Sequence, residues 1–161
     1  MKEQKDKKTY VILHNIRSVY NVGAIFRTAD AVGVSKIYLT GYTPTPKDRF
    51  GVPRKDFSKS ALGSEKFVSW EHCESVGDLI EKLKKDDVSV VAVEQSESSV
   101  DYKKYKPKFS VAFLFGNEVE GVSKEVLKKC DALLEISMQG KKESLNVSVS
   151  AGIVLFRVLN V

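Results

Sequence analysis

The segment from Phe115 to Gly121, Phe-Gly-Asn-Glu-Val-Glu-Gly, places glycines and carboxylates between a predicted strand and a predicted helix. This is where α/β sheets hold their ligands. There is no GxGxxG pattern, no lysine follows Gly121, and Glu118 and Glu120 would repel a triphosphate. The carboxylates suit a ligand with hydroxyls or positive charge, such as a nucleoside with a cationic group, and the glycines allow close backbone approach. Taken alone, the segment also fits a glycine-bounded turn with two exposed glutamates.

A second polar segment, residues 15–33, consists of a polar turn followed by apolar residues at helical spacing. Asn21 is the predicted N-cap of this helix and Gly33 its stop. Arg27 lies about 140° around the helix from Val22, away from the apolar stripe, and can therefore face a cleft. By itself it is equally an ordinary surface arginine.

A third polar segment, residues 136–148, leaves a predicted strand, forms a polar loop and enters the last helix at Asn146. Such a loop could wrap a ligand with its backbone groups while Ser144 and Asn146 cap the helix. Each of these residues, taken singly, also fits a purely structural role.

The basic loop, residues 41–60, is too long for an economical α/β connection and contains three of the four prolines. Basic side chains can neutralise phosphates while interleaved aromatic rings stack on bases. A solvated surface loop remains the alternative. The residues that we expect to bind RNA, if the first interpretation holds, are Arg49, Arg54 and Lys55.

Strands alternating with helices predict an α/β fold with a mostly parallel sheet covered by helices on both faces. A length of 161 residues fits one domain, residues 1–161, with a disordered tail at 1–8. The predicted strands are 10–14, 37–39, 88–93, 111–115 and 132–136, and the predicted helices are 21–33, 76–85, 123–129 and 147–159.

The composition narrows the class of protein. With 42% apolar and 29% charged residues, a disordered or fibrous chain is excluded. No apolar run approaches the length of a membrane span and the first residues are charged, so we expect a cytoplasmic protein. A net charge of +5 mildly favours a polyanionic partner. Two isolated cysteines and two histidines predict no metal site, and neither histidine is assigned to catalysis.

Together, the three polar segments resemble the SpoU (TrmH-like) family of the SPOUT superfamily, which are S-adenosylmethionine-dependent RNA ribose 2′-O-methyltransferases. The family motifs match residues 21–33, 115–123 and 136–148, in the same order and at compatible spacing. Weaker similarity at 61–66 and 93–95 extends the resemblance over nearly the whole chain. The resemblance implies a C-terminal trefoil knot that cradles the cofactor and a homodimer with active sites near its interface.

Carried over by position, the resemblance implies that Arg27 is the catalytic arginine, acting either as a base or as an electrostatic and positioning group. The other polar motif positions, beside the reacting ribose or the methionine moiety, are Asn21, Glu118, Ser144 and Asn146. The implied contacts with S-adenosylmethionine are Gly116, Ile136 and Leu145, with Met138 nearby.

Two other functions remain open from the sequence: an RNA-binding module without catalysis, and a small-molecule nucleotide-binding protein. The implied partner is tRNA or rRNA, without a membrane or a metal. The length leaves no room for the separate N-terminal RNA-binding domain of some ribosomal-RNA members, so the choice of RNA is open. The last helix is apolar nearly all round, with Ser148 and Gly152 one turn apart, and this predicts a two-fold dimer.

Overall fold

A computed structural model describes residues 7–161. The strands are β1 (Thr9–His14), β2 (Lys36–Thr40), β3 (Trp70–Cys73), β4 (Ser89–Val93), β5 (Val100–Asp101), β6 (Val111–Phe115) and β7 (Ala132–Glu135). The α-helices are α1 (Val19–Ala31), α2 (Lys55–Ala61), α3 (Val76–Lys85), α4 (Lys124–Lys129) and α5 (Val147–Leu159). Two 3₁₀ turns lie at Ser64–Lys66 and Tyr102–Lys104.

The seven strands form one sheet in the order β3-β2-β1-β6-β4-β7-β5, and every pair is parallel. Buried side chains lie on both faces of the central strands, as continuous apolar runs predict. One face packs against α1, α2 and α5, and the other against α3 and α4. The predicted fold class is confirmed, while the trefoil knot stays a prediction of the resemblance.

The structure corrects two boundaries. Helix α1 begins earlier than predicted because Ser18, not Asn21, is its N-cap, with the Ser18 hydroxyl accepting a hydrogen bond from the Asn21 backbone N–H. This leaves the Asn21 side chain available for other contacts. The basic loop is irregular only as far as Arg54, because α2 begins at Lys55 and takes in the rest of it. The stop at Gly33 (φ +73°) is confirmed.

The predicted tail falls mainly on residues 1–6, which lie outside the described residues. Lys7 and Lys8, which follow, are irregular. The backbone N–H of Lys8 donates a hydrogen bond to the Ser110 hydroxyl, just before strands β1 and β6 begin. None of the helices in the described chain has the length and apolar character needed to cross a bilayer.

Gly23 sets how closely α1 and α2 pack. A Cβ at this position would lie 2.9 Å from the backbone nitrogen of Ala61 and would overlap the Ser60 hydroxyl. Close packing here places Phe26 edge-on to Phe57, with ring centroids 5.2 Å apart. The N-terminal half of α1, which carries residues of the second polar segment, is thereby fixed on the sheet.

We expect Gly23→Ala to lower the free energy of unfolding by about 1–3 kcal/mol, because the added methyl group forces the two helices apart. Gly77→Ala in α3 is the matched control, since a Cβ there meets nothing closer than 3.6 Å. Urea unfolding of both variants checks this. Equal stability of the two variants would contradict the close packing of α1 on α2.

Candidate functional site

A cleft of about 290 Å³ lies at the carboxyl ends of β4, β6 and β7. It is at the lower end of the size range of small-molecule sites. Its lining includes six of the residues that the sequence assigned to a site, namely Gly116, Glu118, Ile136, Met138, Ser144 and Leu145.

The cleft has an apolar floor and a polar rim. Phe115 and Leu134 form buried parts of the floor, and Ile136 is half-buried beside them. The rim carries the side chains of Glu94 and Glu143. In the described chain, no backbone group of residues 137–145 bonds to another backbone group, and only the Glu143 carbonyl accepts from a side chain, Gln95 Nε2 at 2.8 Å. The other backbone donors and acceptors of this loop are open to a ligand. This combination suits a flat, mostly apolar ring with polar edges and a cationic substituent.

Asn117 organises the turn at the mouth of the cleft. Its side chain is buried, and its Oδ1 accepts hydrogen bonds from the backbone N–H groups of Val119 and Glu120, both at 2.8 Å. Its Nδ2 donates to the Asn15 carbonyl at 3.0 Å and to the Tyr42 hydroxyl at 2.8 Å. Asn117 lies within the motif at 115–121, but its role could not be predicted, because an Asx turn and a distant tyrosine leave no pattern in one sequence.

Gly116 lines the cleft, but the space where its side chain would lie is filled by other residues of the protein and not by a ligand. A Cβ there would lie 2.8 Å from the backbone of Gly121 and would overlap Val122. The closed turn also needs the positive φ of Gly121, +67°, and is held by the Val122 N–H, which donates to Glu94 at 3.1 Å. The expectation that Gly116 makes room directly for a ligand is therefore replaced by a role in shaping the loop.

Glu118 binds the beginning of α1. Its two carboxylate oxygens accept from the backbone N–H groups of Arg17 (3.1 Å) and Ser18 (3.2 Å), and one also accepts from Asn21 Nδ2 (3.2 Å). Burial raises the pKa of the Glu118 carboxyl, but these hydrogen bonds outweigh it, and the pKa lies below its ordinary value of 4.5. The carboxylate is thus saturated by the protein rather than directed at a ligand.

Asn21 connects Glu118 to the third polar segment. Asn146 Nδ2 donates to Asn21 Oδ1 at 3.1 Å, while Asn146 Oδ1 accepts from the Ser148 backbone and hydroxyl, which confirms Asn146 as the N-cap of α5. One hydrogen-bonded chain, Glu118 to Asn21 to Asn146, therefore joins all three polar segments beside the cleft. Ser144 lines the cleft and is exposed, and no bond to the helix end is found for it in the described chain.

Arg27 is exposed on α1 and does not line the cleft of its own chain. Helix α1 starts at the cleft, so Arg27 lies about 9 Å further along the helix axis than Asn21. Among residues 7–161 it has no hydrogen-bond or ion-pair partner. The expectation that Arg27 faces a cleft is not met within one chain.

The three predicted RNA-binding residues differ in availability. Arg54 makes a two-pronged pair with Asp56, at 3.1 and 2.7 Å, and this hydrogen-bonded partner raises the pKa of the guanidinium. Arg49 lies over the Phe50 ring at 4.8 Å, and Lys55 is the first residue of α2. Arg49 and Lys55 have no carboxylate partner in the part of the chain that the structure describes.

Cysteine and histidine lie outside the cleft. Burial raises the pKa of Cys130 to about 11 and also raises that of Cys73, so neither thiol is an activated nucleophile. Burial lowers the pKa of His14, whose Nδ1 pairs with the Thr40 hydroxyl at 2.9 Å. Over residues 7–161, no group of three or more histidine, cysteine or carboxylate side chains has the geometry of a metal site.

A parallel sheet with a cleft at the carboxyl ends of its central strands defines an open α/β ligand-binding protein. The model of the SpoU rRNA Methylase family matches residues 8–156, and the chain therefore belongs to this family. The resemblance seen in the three motifs is confirmed.

Solved structures and relatives of similar sequence point to the same family. A TrmH/SpoU tRNA modifying enzyme from A. aeolicus superposes with a TM-score of 0.83 at 30% identity, covering 96% of this chain and 75% of the other. An AdoMet-bound rRNA methyltransferase from Sinorhizobium meliloti gives 0.84 at 31% identity, covering 95% and 56%. A Staphylococcus aureus (strain COL) protein assigned to the TrmH family of tRNA/rRNA methyltransferases is 32% identical over 98% of this chain. The chain spans 62% of the length of that relative.

Glu118→Gln is expected to flatten the acid side of the pH profile of stability. Because the folded-state pKa of Glu118 is depressed, the unfolded state binds more protons as the pH falls past its ordinary value, and the parent loses stability there. The glutamine variant lacks this contribution. The measurement is the free energy of unfolding from about pH 3 to pH 7.

Glu120→Gln is the matched control, because it removes the same charge from an exposed neighbour whose carboxylate makes no hydrogen bond within residues 7–161. A profile for Glu118→Gln that superposes on that of the parent would mean that the carboxylate does not hold the start of α1.

Proposed function

We propose that this chain transfers a methyl group from S-adenosylmethionine to a ribose 2′-hydroxyl of a tRNA or rRNA. The observation that carries the proposal is the hydrogen-bonded chain from Glu118 through Asn21 to Asn146. It gathers residues of all three family motifs at one side of a ligand-sized cleft. Membership of the family and the AdoMet-bound relative support the choice of cofactor.

The cleft residues fit S-adenosylmethionine. Ile136 and Leu145, with Met138 nearby, offer apolar surface for adenosine, and the backbone of residues 137–145, apart from the bonded Glu143 carbonyl, offers hydrogen bonds to its polar edges. Glu94 and Glu143 on the rim provide negative charge near a cationic ligand. The bound cofactor supplies an electrophilic methyl group on a sulfonium sulfur.

The hydrogen-bonded chain from Glu118 through Asn21 to Asn146 positions the ribose that accepts the methyl group. Asn21 and Asn146 are held by their mutual hydrogen bond and by Glu118, and they lie beside the cleft, next to its lining residues Glu118 and Leu145. A fixed approach of hydroxyl to methyl carbon is worth several kcal/mol, up to about 7–11 in favourable cases. Glu118 acts in this scheme as a positioning residue, since its oxygens already accept three hydrogen bonds.

Arg27 provides the positive charge, and a second copy of the chain brings it into range. Helix α5 leaves one apolar stripe uncovered, formed by Val149, Ile153 and Phe156, and the helix packs beside α1. Such a stripe fits association of two copies. In that homodimer the exposed Arg27 of one copy serves the cleft of the other, where its planar guanidinium binds the phosphate next to the reacting ribose and stabilises charge on the 2′-oxygen.

Arg27→Ala should retain the fold and the affinity for S-adenosylmethionine while single-turnover methyl transfer falls by about 10²–10³ or more. Arg27→Lys should rescue poorly because a point charge does not reproduce the planar fork. Lys85→Ala, on the opposite face of the sheet, is the matched control for loss of one exposed positive charge.

The assay measures cofactor binding by calorimetry and methyl incorporation into tRNA and rRNA, with ribose 2′-deoxy substitution at the modified position as the test of the acceptor atom. RNA binding without cofactor binding would favour the non-catalytic module, and cofactor binding without RNA the small-molecule protein. Methylation that survives 2′-deoxy substitution would refute the ribose assignment.

Light scattering at micromolar concentration should give a dimer for the parent and a monomer for Val149→Asp, because a charge in the apolar stripe must be desolvated at the interface. Val100→Asp is the matched control: Val100 is 47% exposed and Val149 48%, but Val100 lies in β5 at the sheet edge. A monomeric parent would overturn the dimer.

A further inference from the structure

An open groove runs between the basic loop and strand β3, separate from the cleft. We call it the aromatic groove, and its ring-bearing residues are Tyr42, Phe50, Trp70 and His72. The Phe50 side chain is 77% exposed and Tyr42 is 58% exposed, although both are large rings. Trp70 is half-buried and packs against the core. Exposed rings gathered at one place are typical of a binding surface rather than of a solvated loop.

The groove is built rigidly around these rings. Asp48 accepts from the backbone N–H groups of Phe50 (2.8 Å) and Val52 (2.9 Å), which fixes the loop that presents Phe50. Lys47 pairs with Pro53 across the same loop. His72 Nε2 bonds the Gly41 carbonyl at 2.9 Å and anchors the opposite wall. The rings are therefore already held in place before a ligand binds, and this lowers the entropic cost of binding.

The charge of the groove selects its ligand. Both local carboxylates are occupied, Asp48 by backbone N–H groups and Asp56 by Arg54. Lys47 and Arg49 also line the groove and have no ion-pair partner among residues 7–161. Aromatic faces combined with unpaired positive charge match a nucleotide, which carries a flat base and a phosphate.

Tyr42 connects the groove to the cleft. Its ring lines the groove, while its hydroxyl accepts the hydrogen bond from Asn117 Nδ2 at the mouth of the cleft. Its backbone N–H also donates to Asn15 Oδ1 at 3.2 Å. A polynucleotide with one ribose in the cleft can thus extend directly across Tyr42 into the groove.

We propose that the aromatic groove binds an unpaired nucleotide of the substrate RNA that flanks the methylated one, with its base stacked on Phe50 or Trp70 and its phosphate on Lys47 and Arg49. This rests on the proposed function for the identity of the RNA. An unpaired nucleotide is required because the faces of bases in a duplex are covered by their neighbours. The enzyme accordingly selects a loop or another single-stranded region of its RNA.

Trp70 is the single tryptophan of the chain, so its fluorescence reports directly on the groove. Without cofactor, an oligouridylate of about 12 nucleotides should change the Trp70 emission on binding, whereas a blunt RNA duplex of similar length should not. An emission change with the duplex alone, or binding of the single strand with unchanged emission, would overturn the proposal. So would a failure of the oligouridylate to bind.

Phe50→Ala should weaken binding of the oligouridylate about 5- to 150-fold, as expected for one lost base–aromatic stack, and leave its salt dependence unchanged. Arg49→Gln should instead lower the salt slope by about 1. Phe67→Ala is the matched control, because Phe67 is 78% exposed and lies outside the groove. Equal affinities of the Phe50 and Phe67 variants would overturn the stacking role.

The outcomes separate the two proposals. If Phe50→Ala weakens single-strand binding but no methyl group is transferred to any RNA, the groove stands and the proposed reaction fails. If 2′-O-methylation proceeds and Phe50→Ala changes neither binding nor Trp70 emission, the reaction stands and the groove proposal fails.

Discussion

The carboxylate of Glu118 holds the start of α1 to the turn that follows β6, two parts of the chain about one hundred residues apart in sequence. Two backbone N–H groups at the start of the helix and the Asn21 amide are satisfied by the same carboxylate. A carboxylate at a helix N-terminus also interacts favourably with the helix dipole. The position of Asn21, and through it of Asn146, follows from this contact.

Around the cleft, some polar groups are hydrogen-bonded within the protein and others are open to a ligand. Asn117 and Glu118 are fully engaged within the protein, so they stabilise the shape of the mouth and have little capacity left for a ligand. The loop of residues 137–145 is the reverse, because among the described residues only its Glu143 carbonyl is bonded, to the Gln95 side chain. The mouth of the cleft is therefore rigid, and the loop beside it is open to a ligand. This is the arrangement that preorganised binding requires.

The sequence predicted the sheet because its central strands are apolar runs that leave a clear signal. It missed β3, whose residues Trp-Glu-His-Cys show no apolar run, and β5, which has two residues. Ser18 and Asn21 are both good N-cap residues three positions apart, and only the fold decided between them. The fold brings Asn21, Glu118 and Asn146 into one hydrogen-bonded chain, while their roles toward a ribose or a cofactor stay predictions. Arg27 lies away from the apolar stripe of α1, as predicted, but it does not line the cleft, because the helix carries it about 9 Å beyond Asn21.

The strand order has a consequence for how the chain reaches its native state. β1, at the beginning of the chain, takes a central position by pairing with β2 on one side and with β6 on the other. Its second partner follows only after the basic loop, α3 and β4 have been made, so that edge of β1 stays open during synthesis. Parallel pairing between strands so far apart in the sequence makes folding slow. The chain loses the conformational entropy of closing a long loop before the stabilising contacts between the strands can form. Until β6 is in place, the edge of β1 that it covers is an unpaired apolar strand edge, which is the feature by which another chain could add to the sheet.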